Sequence, residues 1–170
     1  MIYEPKEDSY LILNYIKDYS KGKILDVGTG SGILAEEANK YGDVLATDID
    51  DEVIEYFRKK GIKVIKSDLF SNVEGKFDLI IFNPPYLPED KEEDKESKRV
   101  TTGGKQGFEL IERFFSEVKN YLKKDGKILI VFSSLTGDVF GIMRKYGFDY
   151  KILEKEKAFF EDILIFLRHQ

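Results

Sequence analysis

The sequence predicts an α/β fold built on a mostly parallel, seven-stranded sheet that closes with a C-terminal antiparallel hairpin. From Lys23 onward, short runs rich in apolar and β-branched residues alternate with segments of helical periodicity. This is the pattern of βαβ units whose helices cover both faces of a parallel sheet. The last two extended runs are joined by too little chain for a crossover helix, so they must pair antiparallel. The 170 residues show no internal repeat, and a single domain over residues 1–170 is expected.

Residues 1–22 are predicted to form an entry segment and a first helix. The seven strands that follow are predicted at Lys23 to Val27, Asp43 to Asp48, Lys63 to Ser67, Phe77 to Phe82, Lys127 to Ser133, Asp149 to Glu156 and Phe159 to Arg168. Helices are predicted at residues 31–41, 51–60 and 106–123 and at Val139 to Tyr146. Five parallel strands that end in a hairpin differ from a dinucleotide-binding fold, which would continue with another βαβ unit.

Composition excludes several classes of function. The chain has no cysteine, which rules out disulfides, thiolate metal sites and a cysteine nucleophile. A net charge of −5 argues against a broad nucleic-acid surface and favours a protein partner. No apolar run approaches the roughly 18 residues of a membrane span, and the N-terminus lacks the pattern of a secretion signal, so a cytoplasmic location is expected. His169, the single histidine, is expected in a frayed tail, and no metal site is predicted.

A glycine-rich turn follows the first strand, in the segment from Asp26 to Gly32 (DVGTGSG). Gly28, Gly30 and Gly32 lie where the backbone must approach a ligand beneath a helix N-terminus. The spacing is G-x-G-x-G, whereas pyrophosphate-binding turns use G-x-G-x-x-G. Asp26, two residues before the first glycine, would repel a phosphate and attract an ammonium group. A cofactor with a cationic, methionine-like group is therefore expected.

Acidic residues stand at the ends of the next two predicted strands. Asp48 ends the second strand, where a carboxylate can accept hydrogen bonds from both hydroxyls of a ribose. Asp50 is expected to cap the following helix. Asp68 follows the third strand and offers a carboxylate to an adenine amino group, with Leu69 and Phe70 as apolar flank. A simple turn role for Asp68 is the alternative.

The fourth strand leads into Asn83-Pro84-Pro85-Tyr86, at the same sheet edge as the glycine turn. A nitrogen conjugated to a π-system is a poor nucleophile because its lone pair is delocalised. The Asn83 side-chain oxygen and the Pro84 carbonyl can each accept one N–H of such an NH₂ group and align its lone pair. Tyr86 can stack on the flat face of the acceptor. These features predict methyl transfer from S-adenosylmethionine to a planar nitrogen.

Residues 88–104 are predicted to form a mobile loop directly after this turn. The stretch PEDKEEDKESKR, residues 88–99, carries six acidic and four basic side chains and no apolar anchor, so burial cannot offset the entropy of ordering it. Two interpretations stay open, a solvated surface excursion and a flap that covers the site.

Three motifs together resemble the HemK-type protein-glutamine methyltransferases over nearly the whole chain. They are the segment YEPKEDS at residues 3–9, the catalytic turn at residues 83–86 and the glycine motif GGKQG at residues 103–107. Bacterial members carry an extra helical domain before the catalytic one, so this chain resembles the short archaeal and eukaryotic branch. The resemblance implies S-adenosylmethionine as cofactor and, as acceptor, the glutamine of the Gly-Gly-Gln motif in class 1 peptide-chain release factors.

The resemblance also implies a set of contacts. Cofactor contacts are implied for Ser9, Asp26, Gly28, Asp48, Asp68, Leu69 and Asn83. Asn83 would in addition orient the substrate amide. The individual assignments of Ser9 and Gly28 rest on the resemblance.

Members of the short branch commonly work with a small zinc-binding activator protein that pairs along the sheet edge. The run Ile62 to Lys66 (IKVIK) is a candidate docking strand. The alternative is that this edge binds no partner and that its lysines only prevent other strands from pairing with it. Both interpretations stay open.

Three other functions compete with glutamine methylation. A nucleic-acid methyltransferase acting on adenine or guanine would use the same turn, although the acidic charge and the lack of a recognition domain oppose it. A small-molecule or lysine methyltransferase is the second rival, and lysine fits poorly, since its amine is neither planar nor in need of two acceptors. A subunit without activity is disfavoured by the intact Asp26, Asp48 and catalytic turn.

Overall fold

A computed structural model describes residues 5, 7–90, 92, 94–95, 98, 101–157 and 161–169. The strands are β1 Lys23–Val27, β2 Asp43–Asp48, β3 Val64–Lys66, β4 Phe77–Phe82, β5 Leu122–Ser133, β6 Phe148–Lys157 and β7 Glu161–His169. The α-helices are α1 Glu7–Tyr19, α2 Ile33–Ala38, α3 Asp51–Lys59, α4 Glu109–Glu117 and α5 Val139–Lys145. Short 3-10 segments at Val118–Tyr121 and Ser134–Thr136 flank β5. The segment YEPKEDS lies partly outside the described residues, because residues 3, 4 and 6 are not among them.

The seven strands form one sheet in the order β3-β2-β1-β4-β5-β7-β6. The first five are parallel to one another, and β7 runs antiparallel to both β5 and β6. This confirms the predicted parallel sheet with its terminal hairpin. The central strands β1 and β4 are buried along almost their whole length, because helices cover both faces of a parallel sheet.

Several boundaries differ from the prediction. The helix expected over residues 106–123 is α-helical over Glu109–Glu117, and the next four residues form a 3-10 turn. The backbone then pairs with Phe77 at Leu122, five residues before the predicted start of β5 at Lys127. Periodicity could not show this, because Val118 and Leu122 keep the spacing of a helical apolar face. The helix expected over residues 31–41 begins only at Ile33.

The C-terminal strand extends one residue further than predicted. The backbone of His169 pairs with Phe148 of β6, so this residue belongs to the sheet and the expectation of a frayed tail was wrong. The predicted start of this strand at Phe159 lies outside the described residues, and β7 begins at Glu161.

Stacked aromatic rings fix α4 against the sheet beneath the catalytic turn. Phe114 of α4 stacks on Phe82, the residue before Asn83, with ring centroids 4.4 Å apart. Phe70 stacks on Tyr121 at 4.5 Å. Such pairs add about 0.5–1.5 kcal/mol to the free energy of burial. The end of β4 is therefore held from the helix side.

No helix among the described residues has the length and apolar character needed to cross a membrane. Within the same residues, no group of three or more His, Cys, Asp or Glu side chains is arranged to hold a metal ion.

Candidate active site

A cavity opens at the carboxyl ends of β1 to β4, where loops after parallel strands commonly bind ligands. Of the predicted site residues, its wall includes Ser9, Gly28, Gly30, Asp48, Asp68, Leu69, Asn83 and Pro84. The sheet thus brings together residues that are far apart in sequence. Three other predicted residues, Asp26, Gly32 and Tyr86, do not line this cavity, and each of them has a different structural position.

The glycine turn forms the floor of the cavity. Gly28 and Gly30 have φ angles of 66° and 51°, in the left-handed region that favours glycine. A Cβ added at Gly28 would meet no atom within 4 Å, so a side chain there would project into space that a ligand could fill. The turn is held to β2 by two bonds, from the Thr29 N–H to the Thr47 carbonyl (2.8 Å) and from the Gly30 N–H to Asp48 (2.9 Å).

Gly32 has a packing role. Its φ angle is 78°, and a Cβ added there would overlap the ring of Phe57. Phe57 belongs to α3 and is fully buried. The third glycine therefore allows α2 and α3 to approach each other, and it supports the turn from behind the cavity.

Asp26 lies beneath the glycine turn and is only 2% exposed. Burial, with a smaller contribution from the nearby charge of Asp48, raises the pKa of its carboxyl to about 7. A hydrogen bond from the Thr29 hydroxyl (2.7 Å) and one from the backbone of Ala35 act in the opposite direction. A buried carboxylate with few partners is costly, and a bound cation would stabilise its ionised form.

Asp48 is held at the cavity wall by two backbone donors. Its carboxylate accepts from the N–H of Gly30 at 2.9 Å and from the N–H of Asp50 at 3.0 Å. The Asp50 side chain accepts from the Glu52 N–H at 2.9 Å, which confirms that Asp50 caps α3. The two neighbouring aspartates thus have separate functions.

The turn after β3 presents Asp68 and Leu69 to the cavity. Leu69 is buried and has a φ angle of 49°, which is rare for a residue with a side chain. The Ser67 hydroxyl stabilises this conformation by donating to the Leu69 carbonyl at 2.9 Å. The exposed Asp68 carboxylate forms an ion pair with Arg113 of α4 at 3.1 Å.

Asn83 is the polar centre of the catalytic turn. Its Nδ2 donates to the Ser9 hydroxyl at 3.1 Å, whereas its Oδ1 is buried and accepts no hydrogen bond from the described residues. Leaving a buried acceptor unpaired costs about 1–3 kcal/mol. Since Asn83 and Pro84 line the cavity, this oxygen is available to a ligand that brings an N–H group.

Tyr86 is the last residue of the catalytic turn, and its side chain contacts α1. It is 8% exposed, and its hydroxyl donates to Asp8 at 3.2 Å. Its ring does not line the cavity. The stacking of Tyr86 on the acceptor therefore stays a prediction, and the observed contact is with α1.

The glycine motif at residues 103–107 packs against the backbone of the catalytic turn. A Cβ at Gly103 would lie 2.6 Å from the Pro85 carbonyl oxygen, and one at Gly107 would lie 2.7 Å from that of Tyr86. The Gly103 N–H also donates to the Leu87 carbonyl at 3.0 Å. Only glycine permits this approach of two backbones, so the motif holds the catalytic turn in place.

Hydrogen bonds beside this motif join the two ends of the loop predicted at residues 88–104. The Leu87 N–H donates to the Thr101 carbonyl at 2.8 Å, beside a bridge between Leu87 and Thr102. Residues 101–104 are thus tied to the turn. The mobility predicted for residues 88–104 stays a prediction, and residues 91, 93, 96, 97, 99 and 100 lie outside the described residues.

Sequence reasoning missed several residues of the cavity wall. Ile49 lies on the wall and is 54% exposed. The available signal was one isoleucine between two aspartates at the end of a strand. Asp8 was missed because an acidic residue in the first turn of a helix ordinarily needs no further explanation.

A comparison with family models gives a match to the methyltransferase small domain over residues 6–160. The chain belongs to this family. Its fold is that of class I methyltransferases, and the protein is a methyltransferase.

The relatives of this small-domain methyltransferase include several acceptor types. One, from Methanocaldococcus jannaschii, is provisionally named a protein N5-glutamine methyltransferase; it is 38% identical over 96% of this chain and 89% of its own length. The ribosomal RNA small subunit methyltransferase C of Haemophilus influenzae is 30% identical over 88% of this chain. The release factor glutamine methyltransferase of Deinococcus radiodurans is 29% identical over 71% of this chain. The chain spans 43% and 49% of these last two relatives.

Among solved structures, the methyltransferase of the Mtq2–Trm112 complex from E. cuniculi superposes with a TM-score of 0.82. The match covers 99% of this chain and 98% of that one at 24% identity. That complex is described as methylating the eRF1 translation termination factor. The resemblance indicated by the three sequence motifs is confirmed.

Alanine at Gly28 and at Gly32 should affect different properties of the methyltransferase. Both glycines have positive φ angles, so both variants carry strain of the order of 1 kcal/mol. Gly32→Ala should lower the free energy of unfolding by about 2 kcal/mol more, through overlap with Phe57. Gly28→Ala should instead weaken cofactor binding.

Urea unfolding measures the loss of stability, and calorimetry measures cofactor binding. Gly61→Ala is the control for strain alone, since its φ is 74° and its surroundings are open. Equal destabilisation by the two variants would contradict the assignment.

Gly107→Ala should reduce methyl transfer more than tenfold because its Cβ would push the Tyr86 carbonyl and displace the catalytic turn. Gly75→Ala is the matched control, since Gly75 has a φ of 89°, close to the 95° of Gly107, and a Cβ there would meet nothing within 4 Å. Initial rates at saturating substrate provide the measurement. Equal rates for the two variants would show that strain alone matters.

Asp26→Asn should stabilise the ligand-free protein at neutral and alkaline pH. The folded-state pKa is raised from 3.8 to about 7, so the wild type loses stability as the pH rises between these values, by an amount of the order of 4 kcal/mol. Asparagine cannot ionise and avoids this loss. Thermal unfolding from pH 4 to pH 8 should show a gap in favour of the variant that widens up to about pH 7. A gap independent of pH would refute the raised pKa.

Proposed function

We propose that this protein transfers a methyl group from S-adenosylmethionine to the side-chain amide nitrogen of the glutamine in the Gly-Gly-Gln motif of a class 1 release factor. The observation that carries the proposal is the buried Oδ1 of Asn83, a residue of the cavity wall, because no described residue donates a hydrogen bond to this oxygen. A primary amide brings the N–H donor that this oxygen lacks. The relatives described above support the same acceptor.

The cavity fits S-adenosylmethionine by the chemistry of its wall. Asp48 offers a carboxylate for ribose hydroxyls, and Leu69 and Ile49 offer apolar surface for an adenine. The open space over Gly28 and the buried Asp26 carboxyl beneath it suit a cationic amino-acid moiety. When bound, the cofactor supplies an electrophilic methyl group on a sulfonium.

The residues of the catalytic turn act on the acceptor nitrogen. Asn83 Oδ1 accepts one of its N–H groups, and the Pro84 carbonyl is the candidate acceptor for the other. Two such bonds orient the amide and stabilise the positive charge that develops as the nitrogen becomes tetrahedral. The amide nitrogen bonds to the methyl group as the bond from that group to the sulfonium sulfur breaks, and the sulfur keeps the electron pair as a neutral thioether. The protonated product then loses one proton to water.

This arrangement suits a neutral amide better than a lysine. A lysine ammonium must lose a proton before it can act as a nucleophile, which calls for a base at the acceptor. The Asp8 carboxylate, which lines the same cavity as Asn83, already accepts bonds from Ser9 and Tyr86. The turn thus offers acceptors that orient an NH₂ group, which is what an amide requires.

Methylation of a nucleobase amine is the second candidate. It is favoured by the similarity to a ribosomal RNA methyltransferase over 88% of this chain, and an exocyclic NH₂ would suit the same turn. Against it stands the net charge of −5, because phosphate binding requires clustered lysine and arginine.

We also propose a small activator protein, zinc-binding as the resemblance implies, at the free edge of β3. This strand is the last at its end of the sheet, with β2 on its inner side. Lys63, just before the strand, and Lys66, its last residue, form ion pairs with Asp43 at 3.6 Å and with Asp51 at 2.7 Å. Because their charges are paired, these lysines oppose the pairing of another strand with this edge less than free lysines would. The related E. cuniculi protein is in a complex with Trm112.

The assay that tests the proposed reaction combines the protein, labelled S-adenosylmethionine and a class 1 release factor, with and without the candidate activator. The label should appear on the glutamine of the motif and fall by at least about a hundredfold in Asn83→Ala. Mass spectrometry locates the methyl group. If the wild type binds the cofactor and the activator yet leaves the release factor unlabelled, the acceptor is another molecule, and labelled RNA would identify the second candidate.

Lys66→Pro should abolish the complex with the activator. The Ser67 N–H donates to the Asp48 carbonyl and the Lys63 carbonyl accepts from the Ala46 N–H, so odd-numbered residues pair inward and the Lys66 N–H points to the free edge. Proline removes that donor and leaves the pairing with β2 intact.

Lys66→Ala is the control for Lys66→Pro, because it removes the ion pair with Asp51 and keeps the N–H. Co-purification should recover the activator with the alanine variant and not with the proline variant. Recovery with both would exclude docking at this edge.

A further inference from the structure

The first turn of α1 joins the catalytic turn through a chain of hydrogen bonds. The Ser9 N–H and hydroxyl both donate to Asp8 Oδ1, at 2.6 and 3.4 Å. The Tyr86 hydroxyl donates to Asp8 Oδ2 at 3.2 Å, and Asn83 Nδ2 donates to the Ser9 hydroxyl at 3.1 Å. Asp8 and Ser9 are buried, at 9% and 3% exposure. Asp8 and Ser9 thus connect the first turn of α1 to Asn83, the side chain that orients the acceptor.

The direction of these bonds is fixed by the groups that form them. An ionised carboxylate only accepts, and a serine hydroxyl has a single hydrogen to donate. Once Ser9 directs that hydrogen to Asp8, its oxygen can only accept from Asn83. The Asn83 amide must then turn its nitrogen to Ser9, and its oxygen remains for another donor.

Without Asp8 the direction would no longer be set. The Ser9 hydroxyl could donate to Asn83 Oδ1, and the amide could rotate so that its NH₂ group faces the cavity. An NH₂ group cannot accept a hydrogen bond from the N–H of a substrate amide. The site would then present a donor where the substrate needs an acceptor. We propose that Asp8 is a positioning residue that fixes the orientation of the Asn83 amide, which rests on the proposed function in that the acceptor is an NH₂ group.

Asp8 differs in this respect from the other acidic residue of the same helical turn. Glu7 is exposed to solvent, as is usual for an acidic residue that interacts favourably with a helix N-terminus. Asp8 is buried and accepts bonds from two other side chains. Interaction with the helix N-terminus does not require burial, and this contrast provides a matched control.

The kinetic test is a double-mutant cycle on Asp8 and Ser9. Asp8→Ala should lower kcat on the release factor at least tenfold, with a change below threefold in the dissociation constant for S-adenosylmethionine. Because Asp8 acts through Ser9, adding Asp8→Ala to Ser9→Ala should lower kcat by less than a further twofold. Effects of the two substitutions that multiply would overturn the proposal.

Two further variants separate positioning from charge and stability. Asp8→Asn keeps an acceptor for Ser9 and can donate its NH₂ to the Tyr86 oxygen, so it should recover most of the kcat lost in Asp8→Ala. Glu7→Ala removes the same charge from the same helical turn and should change kcat by less than twofold. A loss in Glu7→Ala equal to that in Asp8→Ala, or no recovery in Asp8→Asn, would refute positioning by Asp8.

An NMR measurement tests the orientation without any acceptor substrate. In the wild type, the side-chain NH₂ protons of Asn83 should show nuclear Overhauser effects to the β-protons of Ser9, and these should weaken in Asp8→Ala. If the effects are present while the release factor remains unmethylated, the proposed function fails and the orientation stands. If the wild type lacks them, the role of Asp8 is refuted whatever the activity.

Discussion

The hydrogen bond between the Asn83 side chain and the Ser9 hydroxyl is the interaction on which the site depends. It joins α1 to the turn after β4, through two residues that are 74 positions apart in the chain. It also occupies the donor side of the Asn83 amide, so the oxygen remains for a ligand. A buried oxygen without a partner lowers stability, and the fold tolerates it because the surrounding turn is held by Ser9 on one side and by the glycine motif on the other.

Close approach of backbones is the second constraint on the site. Gly103 and Gly107 let one loop pack on the carbonyl groups of the catalytic turn, and Gly32 lets α2 approach Phe57. Prolines at positions 84 and 85 restrict the turn itself. The turn is therefore rigid before a substrate arrives, which lowers the entropy lost when the reactants are aligned.

Function and stability oppose each other at Asp26. Its carboxyl is buried with a pKa near 7, which disfavours the ionised form in the ligand-free protein. A cationic ligand reverses that preference, so the residue that costs stability in the free protein contributes to binding. Strain at Leu69 is a second example, because a positive φ angle brings an apolar side chain to the cavity wall.

The sequence predicted the parallel sheet, its antiparallel hairpin and eight of the cavity residues, because each follows from local pattern and from the rule that parallel strands end at one edge. Boundaries such as the start of β5 at Leu122 depend on pairing with Phe77, a contact 45 residues away in the chain. The packing role of Gly32 depends in the same way on Phe57. The roles of Asp8 and Tyr86 depend on the docking of α1, and no local pattern records that contact.

The most direct measurement is a crystal structure of the protein with S-adenosylhomocysteine and a peptide that contains the Gly-Gly-Gln motif. We expect the glutamine amide nitrogen within about 3 Å of Asn83 Oδ1, with Nδ2 still bonded to Ser9. An Asn83 amide that turns its nitrogen to the substrate, or a glutamine bound away from the catalytic turn, would contradict it.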